Sequence, residues 1–354
     1  MKSIKTCVLA ILILCFLSAC SPSNTSKSFV SSLFSRSESS QINEKENKKS
    51  FVDEITGNSD KITKSSQKLT AKDTSDSQAP NDDSPPSQNK TTKGEPFINA
   101  KTYTGYKPLP ERILNVEDPN NIKQLSNTEI RFSFGNAKNG EPSEQSKQNQ
   151  DFFDLKGYNA IVYDNKSTDK VLYLTFDCGW ENGYTSKVLD VLKDKKVPAA
   201  FFCTLDQIKG ETELTARMIK EGHIVGNHST KHPNFSQISR TRMAAEIQTC
   251  DNYLRQNFGY SSALFRFPQG YYSENSLDLV ESVGYKSVFW SIAYDDWDVN
   301  LIRGAQYAHD KVVSRLHPGA IILLHSVSPD NSQALGDIID TAREQGYEFK
   351  SLDG

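Results

Sequence analysis

The chain has few cysteines, little net charge and few apolar residues, and each of these shortages excludes some structural or functional classes. It has six cysteines in 354 residues, half of them within the first 20. The remaining three, Cys178, Cys203 and Cys250, are an odd number, which does not fit a disulfide framework. The net charge is only -3, so neither a basic patch nor an overall positive field indicates nucleic acid as a partner.

The shortage of apolar residues is concentrated in the first third of the chain. The hydrophobic fraction is 36% overall, and residues 21–95 consist mainly of Ser, Thr, Asn, Gln, Lys, Asp and Glu. Such a segment cannot bury enough apolar surface to offset its chain entropy, so we predict a disordered tether over 21–95. A flexible chain of that length has an end-to-end distance on the order of 50 Å.

The chain also lacks an apolar run of membrane-spanning length. Residues 7–17 are apolar and follow Lys2 and Lys5, which indicates a signal peptide rather than a transmembrane helix. The run ends in LSAC (17–20), which resembles a bacterial lipobox and predicts lipidation of Cys20 after cleavage of residues 1–20. An ordinary signal peptide or an uncleaved anchor are the alternatives. All three place the protein outside the cytoplasm, and a lipidated Cys20 would anchor it to the membrane.

From Val171 onward, short apolar segments alternate regularly with amphipathic helical segments. This alternation predicts an α/β fold with a parallel sheet or barrel. Six or seven units in about 185 residues are few for a complete eight-fold barrel, which typically needs ~250. We therefore predict a catalytic domain over 170–354, preceded by a partly ordered N-terminal extension over 96–169.

Polar residues follow the predicted strands, at the end where parallel α/β folds place their chemistry. The residues are Asp177, Cys178, His228, His232, Arg266, Asp296 and His325. The spacing of the two histidines in 228–232 allows both imidazoles to bind one cation, with zinc a suitable metal. A surface pair that arose by chance is the alternative for this spacing.

Five short segments, in this order, resemble the motifs of a known enzyme family. They are TFDCG (175–179), HSTKH (228–232), RFPQG (266–270), DW (296–297) and LLH (323–325). The chain resembles the polysaccharide deacetylases, the NodB homology domain of carbohydrate esterase family 4, over about residues 136–352. Further segments, at 181–185, 305–310 and 317–320, are similar to the delta-lactam-biosynthetic de-N-acetylases, which deacetylate muramic acid in peptidoglycan.

The resemblance implies a distorted, incomplete (β/α) barrel of the NodB type and a role for each matching residue. Asp177 would be the base, His325 the acid, and Arg266 would orient the base and keep it ionised, with a surface ion pair as the alternative for Arg266. A divalent metal, zinc by expectation, would be bound by the histidine pair. The residues expected to line the substrate site are Gly270 and Tyr271, which offer a backbone N–H to the oxyanion, and Trp297 and Asp296. For Trp297 a core position is the alternative, and Asp296 could instead orient a catalytic side chain or hold a loop.

The sequence departs from the family pattern at two positions. Cys178 stands where the family usually has a metal-binding Asp, and often Asn in the muramic-acid branch. A thiolate can bind zinc, so we predict Cys178 as a third metal ligand, with a free thiol and a disulfide to Cys203 as alternatives. Ala293 replaces a family Asp, which Asp295 could supply.

These observations predict a lipid-anchored, metal-dependent de-N-acetylase whose partner is the peptidoglycan glycan strand. Two alternatives remain open. One is a deacetylase of N-acetylglucosamine polymers, and the other is a non-catalytic saccharide-binding module that kept the groove. The presence of both Asp177 and His325 favours an enzyme, because a binding module needs neither a base nor an acid. The sequence does not address the oligomeric state.

Overall fold

A computed structural model describes residues 106–167 and 169–353. They fall within one unit of the chain, which begins at Pro85. The predicted signal peptide, the lipidation site Cys20 and the tether over 21–95 lie outside the described residues. No helix of the described part has the length and apolarity needed to cross a membrane.

The centre of the fold is a parallel sheet of eight strands. Apolar side chains dominate these strands, as expected where both faces are covered. The strands are β2 (Ala160–Ile161), β3 (Val171–Cys178), β4 (Ala199–Cys203), β5 (Ile224–Asn227), β6 (Leu264–Phe265), β8 (Lys286–Val288), β9 (Ala320–His325) and β10 (Glu348–Phe349). A separate antiparallel pair is formed by β1 (Ile130–Arg131) and β7 (Tyr271–Tyr272).

The strand order makes the sheet curl. Starting from β9, neighbouring strands follow the order β3, β4, β5, β6 and β8. Ile292, four residues beyond β8, forms a parallel bridge back to Ile322 of β9. The sheet is therefore nearly closed, with a single bridge where a complete barrel would have further paired strands. The predicted incomplete (β/α) barrel is confirmed.

Eight helices connect or flank these strands in the described part. They are α1 (Glu144–Lys156), α2 (Thr185–Lys195), α3 (Leu205–Gly210), α4 (Thr212–Lys220), α5 (Arg240–Phe258), α6 (Glu274–Ser282), α7 (Ala305–Val313) and α8 (Pro329–Glu344). Local sequence fixes many of their ends. Ser239 caps the start of α5 by accepting a hydrogen bond from the Arg242 N–H, and Gly259 ends it in the left-handed conformation, which glycine adopts without steric cost.

The core lies on both sides of the sheet. On the outer side, Leu172, Leu174 and Phe176 of β3 pack with residues of the helices, each contributing roughly 1.5–3 kcal/mol by burial. On the inner side, a smaller cluster includes Phe202 and Ile321. Alternation along each strand separates the two sets, because successive side chains point to opposite faces.

The residues before β3 are part of this architecture. Strand β2 pairs with β8, and α1 contributes the fully buried Phe153 to a third cluster with Phe265 and Phe289. Further upstream, the Arg112 and Leu114 N–H groups donate to Asn252 and Gln248 of α5. The predicted boundary at 170 thus falls between two parts that share one sheet, and it stays a prediction.

Candidate active site

The predicted site residues lie at the carboxyl ends of neighbouring strands. Asp177 and His325 are register partners on β3 and β9. His228 follows β5 directly, and Arg266 follows β6, whose Phe265 pairs with Asn227. Parallel strands end at the same edge of a sheet, so four residues that are far apart in sequence meet there.

Arg266 holds Asp177 in a buried ion pair. Its Nη1 lies 2.8 Å from Asp177 Oδ1, while its Nε donates to the Val288 carbonyl at 2.9 Å. The guanidinium is fully buried and stacks on the Phe202 ring, 4.1 Å from the centroid. Burial alone would raise the pKa of Asp177, but the Arg266 guanidinium lowers it below its usual range. Asp177 is therefore ionised at neutral pH, and the alternative of a surface ion pair for Arg266 is wrong.

The histidine pair is arranged as two metal ligands would be. The Nε2 atoms of His228 and His232 are 3.2 Å apart, a separation compatible with bonds of about 2.0–2.1 Å to one zinc ion. His228 Nδ1 lies 2.8 Å from the Arg266 carbonyl, a contact that assigns the proton to Nδ1 and leaves Nε2 free to bind a metal. Burial lowers the pKa of both histidines, that of His232 to about 4, so both are neutral as metal ligation requires.

Cys178 does not lie with the histidines. It packs in the outer core with Leu174 and Phe176, and its Sγ contacts Ser326 Oγ at 3.4 Å. The reason is strand alternation, which turns Cys178 to the face opposite Asp177. Among residues 106–167 and 169–353, no three His, Cys, Asp or Glu side chains are grouped for a metal. The two imidazoles thus fit a zinc-like cation, without the third ligand predicted from Cys178.

The alternative disulfide between Cys178 and Cys203 is not formed. Cys178, Cys203 and Cys250 are all buried free thiols, although Cys178 and Cys203 are register partners on β3 and β4. The contact with Cys178, together with burial, raises the pKa of the Cys203 thiol well above its usual value. The Cys203 thiol is therefore protonated at neutral pH, and all three buried thiols behave as small apolar core residues.

Asp296 forms hydrogen bonds with both the imidazole and the backbone of His325. His325 Nδ1 lies 2.8 Å from Asp296 Oδ1, and the His325 backbone N–H donates to Oδ2 at 2.7 Å. Burial would lower the pKa of His325, but the carboxylate of Asp296 more than offsets it and raises that pKa. Asp296 is itself buried, so its predicted place in the substrate site is wrong, and the alternative that it orients a catalytic side chain fits its contacts.

Two residues that the sequence analysis missed complete this arrangement. Asn331, at the start of α8, donates from Nδ2 to Asp296 Oδ2 and to the His325 carbonyl. Its Oδ1 accepts from the Tyr294 hydroxyl at 2.5 Å.

Asp295 does not contribute to this arrangement, because it forms a surface ion pair with Arg303. The carboxylate missing at Ala293 is therefore not supplied by Asp295.

The turn after β6 changes the assignment of the oxyanion donor. The Gly270 N–H donates to the Phe267 carbonyl and the Tyr271 N–H to the Pro268 carbonyl, so neither of the predicted donors is free. Just before them, the exposed Gln269 adopts a left-handed backbone with φ 58°. Its N–H makes no hydrogen bond to another described residue. A non-glycine residue held in this conformation is typical of functional sites.

The aromatic side chains at the rim are exposed. Trp297, next to Asp296, is 60% exposed, and Trp180, three residues after Asp177, is 49% exposed. The alternative of a core position for Trp297 is therefore wrong. Exposed tryptophans beside a polar site offer flat apolar surface to a ligand.

A buried carboxylate supports the loop that carries the histidines. Glu246 of α5 accepts hydrogen bonds at Oε2 from the backbone N–H groups of Thr230 and Lys231, at 2.9 and 2.7 Å. Asn227 supports the same loop from the strand end, because its Oδ1 accepts from the Ser229 N–H. Sequence reasoning missed both residues, since neither spacing nor periodicity distinguishes Glu246 from a surface glutamate.

Comparison with known proteins gives this arrangement a family. Residues 164–288 match the model for polysaccharide deacetylases. Over 230 residues the chain is 41% identical to the peptidoglycan-N-acetylmuramic acid deacetylase PdaA of Bacillus subtilis, covering 65% of this chain and 86% of that protein. Over 204 residues it is 30% identical to a peptidoglycan-N-acetylglucosamine deacetylase of Bacillus cereus, covering 56% of this chain and 94% of the relative.

A solved structure agrees with the sequence comparison. The structure of B. subtilis PdaA, described as a family 4 carbohydrate esterase, has a TM-score of 0.61 and 40% identity over 65% of this chain and 97% of that one. The curled parallel sheet with an acid–base site at its strand ends defines a hydrolase of the carbohydrate esterase class. The chain belongs to the polysaccharide deacetylase family, carbohydrate esterase family 4.

Proposed function

We propose that this chain is a metal-dependent peptidoglycan deacetylase that removes the acetyl group from N-acetylmuramic acid and releases acetate. The observation that carries the proposal is the pairing of opposite protonation states on adjacent strands. Arg266 keeps Asp177 ionised. Asp296 raises the pKa of His325, the register partner of Asp177, and so stabilises its protonated form. A base and an acid side by side are what amide hydrolysis requires.

Each residue then has a defined task. Asp177 accepts a proton from the water that attacks the acetamide carbonyl. His325 donates a proton to the departing sugar nitrogen, so that the C–N bond breaks to give acetate and an amine. The Gln269 N–H offers a hydrogen bond to the developing oxyanion. His228 and His232 would hold the divalent metal, which supplies Lewis acidity and a more acidic bound water.

We propose muramic acid rather than glucosamine as the substrate because the chain is more similar in sequence to a muramic-acid deacetylase than to a glucosamine deacetylase. The muramic-acid deacetylase is 41% identical to this chain and the glucosamine deacetylase 30%. The position of Cys178 in the core favours a second candidate, a saccharide-binding module without turnover, because the site then lacks a third protein ligand.

The test is acetate release from purified peptidoglycan by the full chain, with bound zinc quantified before and after chelation. Mass spectrometry of muramidase-released disaccharides identifies which sugar has lost its acetyl group. We expect loss from muramic acid and none after chelation. Deacetylated glucosamine alone would replace the proposed substrate, and glycan binding without acetate release or metal would establish the binding module.

Substitutions assign the roles. We expect Asp177→Asn and His325→Ala to abolish acetate release with zinc still bound, and His228→Ala to lose the zinc. His309→Ala is the matched control, since His309 contacts Asp310 and Thr341 away from the site. Full rates in the first two variants, or full zinc content in the third, would contradict the assignment.

We also propose that Cys20 is lipidated and anchors the domain outside the cytoplasm through the tether. The supporting observation is the LSAC sequence at 17–20 after an apolar run. Detergent partitioning tests it: the wild-type chain should enter the detergent phase and Cys20→Ser should not. Equal partitioning of both would exclude a lipid on Cys20.

A further inference from the structure

One carboxylate of the N-terminal extension binds the loop that follows His232 and an arginine that contacts the turn after β6. Glu129 Oε2 accepts hydrogen bonds from Asn234 Nδ2 at 2.7 Å and Gln237 Nε2 at 3.0 Å, in the loop that follows His232. Its other oxygen, Oε1, accepts from Arg131 Nε at 3.1 Å. The Glu129 side chain is only 25% exposed, whereas that of Arg131 is 74% exposed, so solvent competes more with the ion pair than with the two amide hydrogen bonds.

Arg131 extends the contact to the turn after β6. Its guanidinium carbon lies 5.2 Å from the centre of the Tyr271 ring, and Arg131 and Tyr271 are register partners in the β1–β7 pair. Next to it, the Phe132 N–H donates to the Gly270 carbonyl at 3.0 Å. Strand β1 of the extension therefore contacts the turn that presents the Gln269 N–H through both a side chain and the backbone.

Both loops have a backbone that needs outside support. His232 and Gln269 have φ values of 55° and 58°, in the left-handed region that costs a non-glycine residue energy. The turn is closely packed, because a Cβ at Gly270 would lie 3.0 Å from the Trp290 ring and 3.3 Å from Phe132 Cβ. Such conformations persist only where surrounding contacts hold them.

We propose that Glu129 is a positioning residue for deacetylation: its carboxylate fixes the His232 loop and, through Arg131, the Gln269 turn in one relative arrangement. This inference rests on the proposed function. Displacing a catalytic group by about 1 Å can reduce a rate ~100-fold, and weakening the support of a metal ligand reduces metal affinity ~10–100-fold. Glu129 touches no reacting atom and acts through these two loops.

The experiment compares Glu129→Gln and Arg131→Gln in the full chain, with kcat, KM, zinc affinity by chelator competition and thermal unfolding as readouts. We expect Glu129→Gln to reduce both kcat and zinc affinity ~10-fold. Arg131→Gln breaks only the link to the turn, so we expect reduced kcat with unchanged zinc affinity. KM should change little in either variant, because the misplaced groups act in the transition state.

Glu111→Gln is the matched control. Glu111 lies in the same extension but accepts from Gln256 of α5, so all readouts should stay at wild-type values. Wild-type kcat and zinc affinity in Glu129→Gln, or losses matched by an equal fraction of unfolded protein, would overturn the inference. If the wild type binds zinc without releasing acetate, the proposed function fails and the zinc affinities still decide the role of Glu129. A chain that does neither removes both proposals.

Discussion

At the residue scale, the site depends on charges that fix the protonation of their neighbours. Asp177 and His325 sit on adjacent strands, yet buried partners drive their pKa values in opposite directions. Arg266 lowers that of Asp177, and Asp296 raises that of His325. Each catalytic group therefore depends on a second residue that never meets the substrate.

Asp296→Asn tests this dependence directly. Without the carboxylate, the pKa of His325 falls, because the burial that lowers it is no longer offset. The acid is then lost at lower pH, so the alkaline limb of the kcat profile should shift to lower pH. We expect the rate at neutral pH to fall ~100-fold.

The neighbouring residue supplies the control for that profile. Asp295→Asn removes an equal charge one position away, but Asp295 pairs with Arg303 at the surface. Its pH profile should match the wild type. An unshifted alkaline limb in Asp296→Asn would show that His325 is not the group that titrates there.

At the element scale, the strands and helices with long apolar patterns were the most predictable. The apolar runs at 199–202 and 320–324 and the helical spacing over 240–258 coincide with β4, β9 and α5. Their apolar patterns are long enough to define a period. Strand β6 ends at Phe265, although the Arg266 N–H still donates to the Asn227 carbonyl at 3.0 Å.

The site was predictable to the extent that its residues belong to strand ends. Asp177, His228, Arg266 and His325 come together as expected, since parallel strands end at one edge. The prediction for Cys178 followed the family motif and was wrong, because alternation along β3 places its side chain on the face opposite Asp177. Glu129 and Glu246 could not be found at all, since their partners are loops whose conformations no sequence pattern specifies.

Glu246 of helix α5 supports the loop that carries the two histidines, and Glu246→Ala tests this contact. The substitution leaves the Thr230 and Lys231 N–H groups without their acceptor, which should cost about 2–4 kcal/mol in the free energy of unfolding. Zinc affinity should fall as well, because both N–H groups lie between the two histidines in sequence. Urea unfolding and chelator competition measure the two effects.

Two further variants calibrate that result. Glu246→Gln keeps one carbonyl oxygen for the two N–H groups and should lose less stability than Glu246→Ala. Glu213→Ala removes an exposed glutamate from α4 and should change the free energy of unfolding by about 0.5 kcal/mol or less. If Glu246→Ala were as stable as Glu213→Ala, the loop would not depend on α5.

At the scale of the whole molecule, the two ends of the parallel strands carry different kinds of residue. Charged residues and residues with a left-handed backbone lie at the carboxyl ends of the strands. The amino ends carry buried residues that stabilise the fold. His223, just before β5, is one of them: its Nδ1 accepts from the Ala199 N–H at 3.2 Å, and its ring packs edge-on against Phe201. It is buried as a neutral imidazole at the start of the sheet.

This neutral imidazole should make the whole fold sensitive to acid. Burial lowers the pKa of His223 from 6.5 to about 4, so between those values the unfolded chain binds a proton that the folded chain excludes. Stability is therefore complete above pH 6.5 and falls as the pH drops toward 4, by roughly 3 kcal/mol at most. In His223→Asn, whose Oδ1 can still accept from Ala199, that part of the acid sensitivity should disappear. Urea unfolding of both proteins at pH 7 and pH 4.5 measures it: the pH 7 difference gives the packing cost, and the change between the two pH values isolates the ionisation. Parallel losses in both proteins would mean that the acid sensitivity of the fold originates elsewhere.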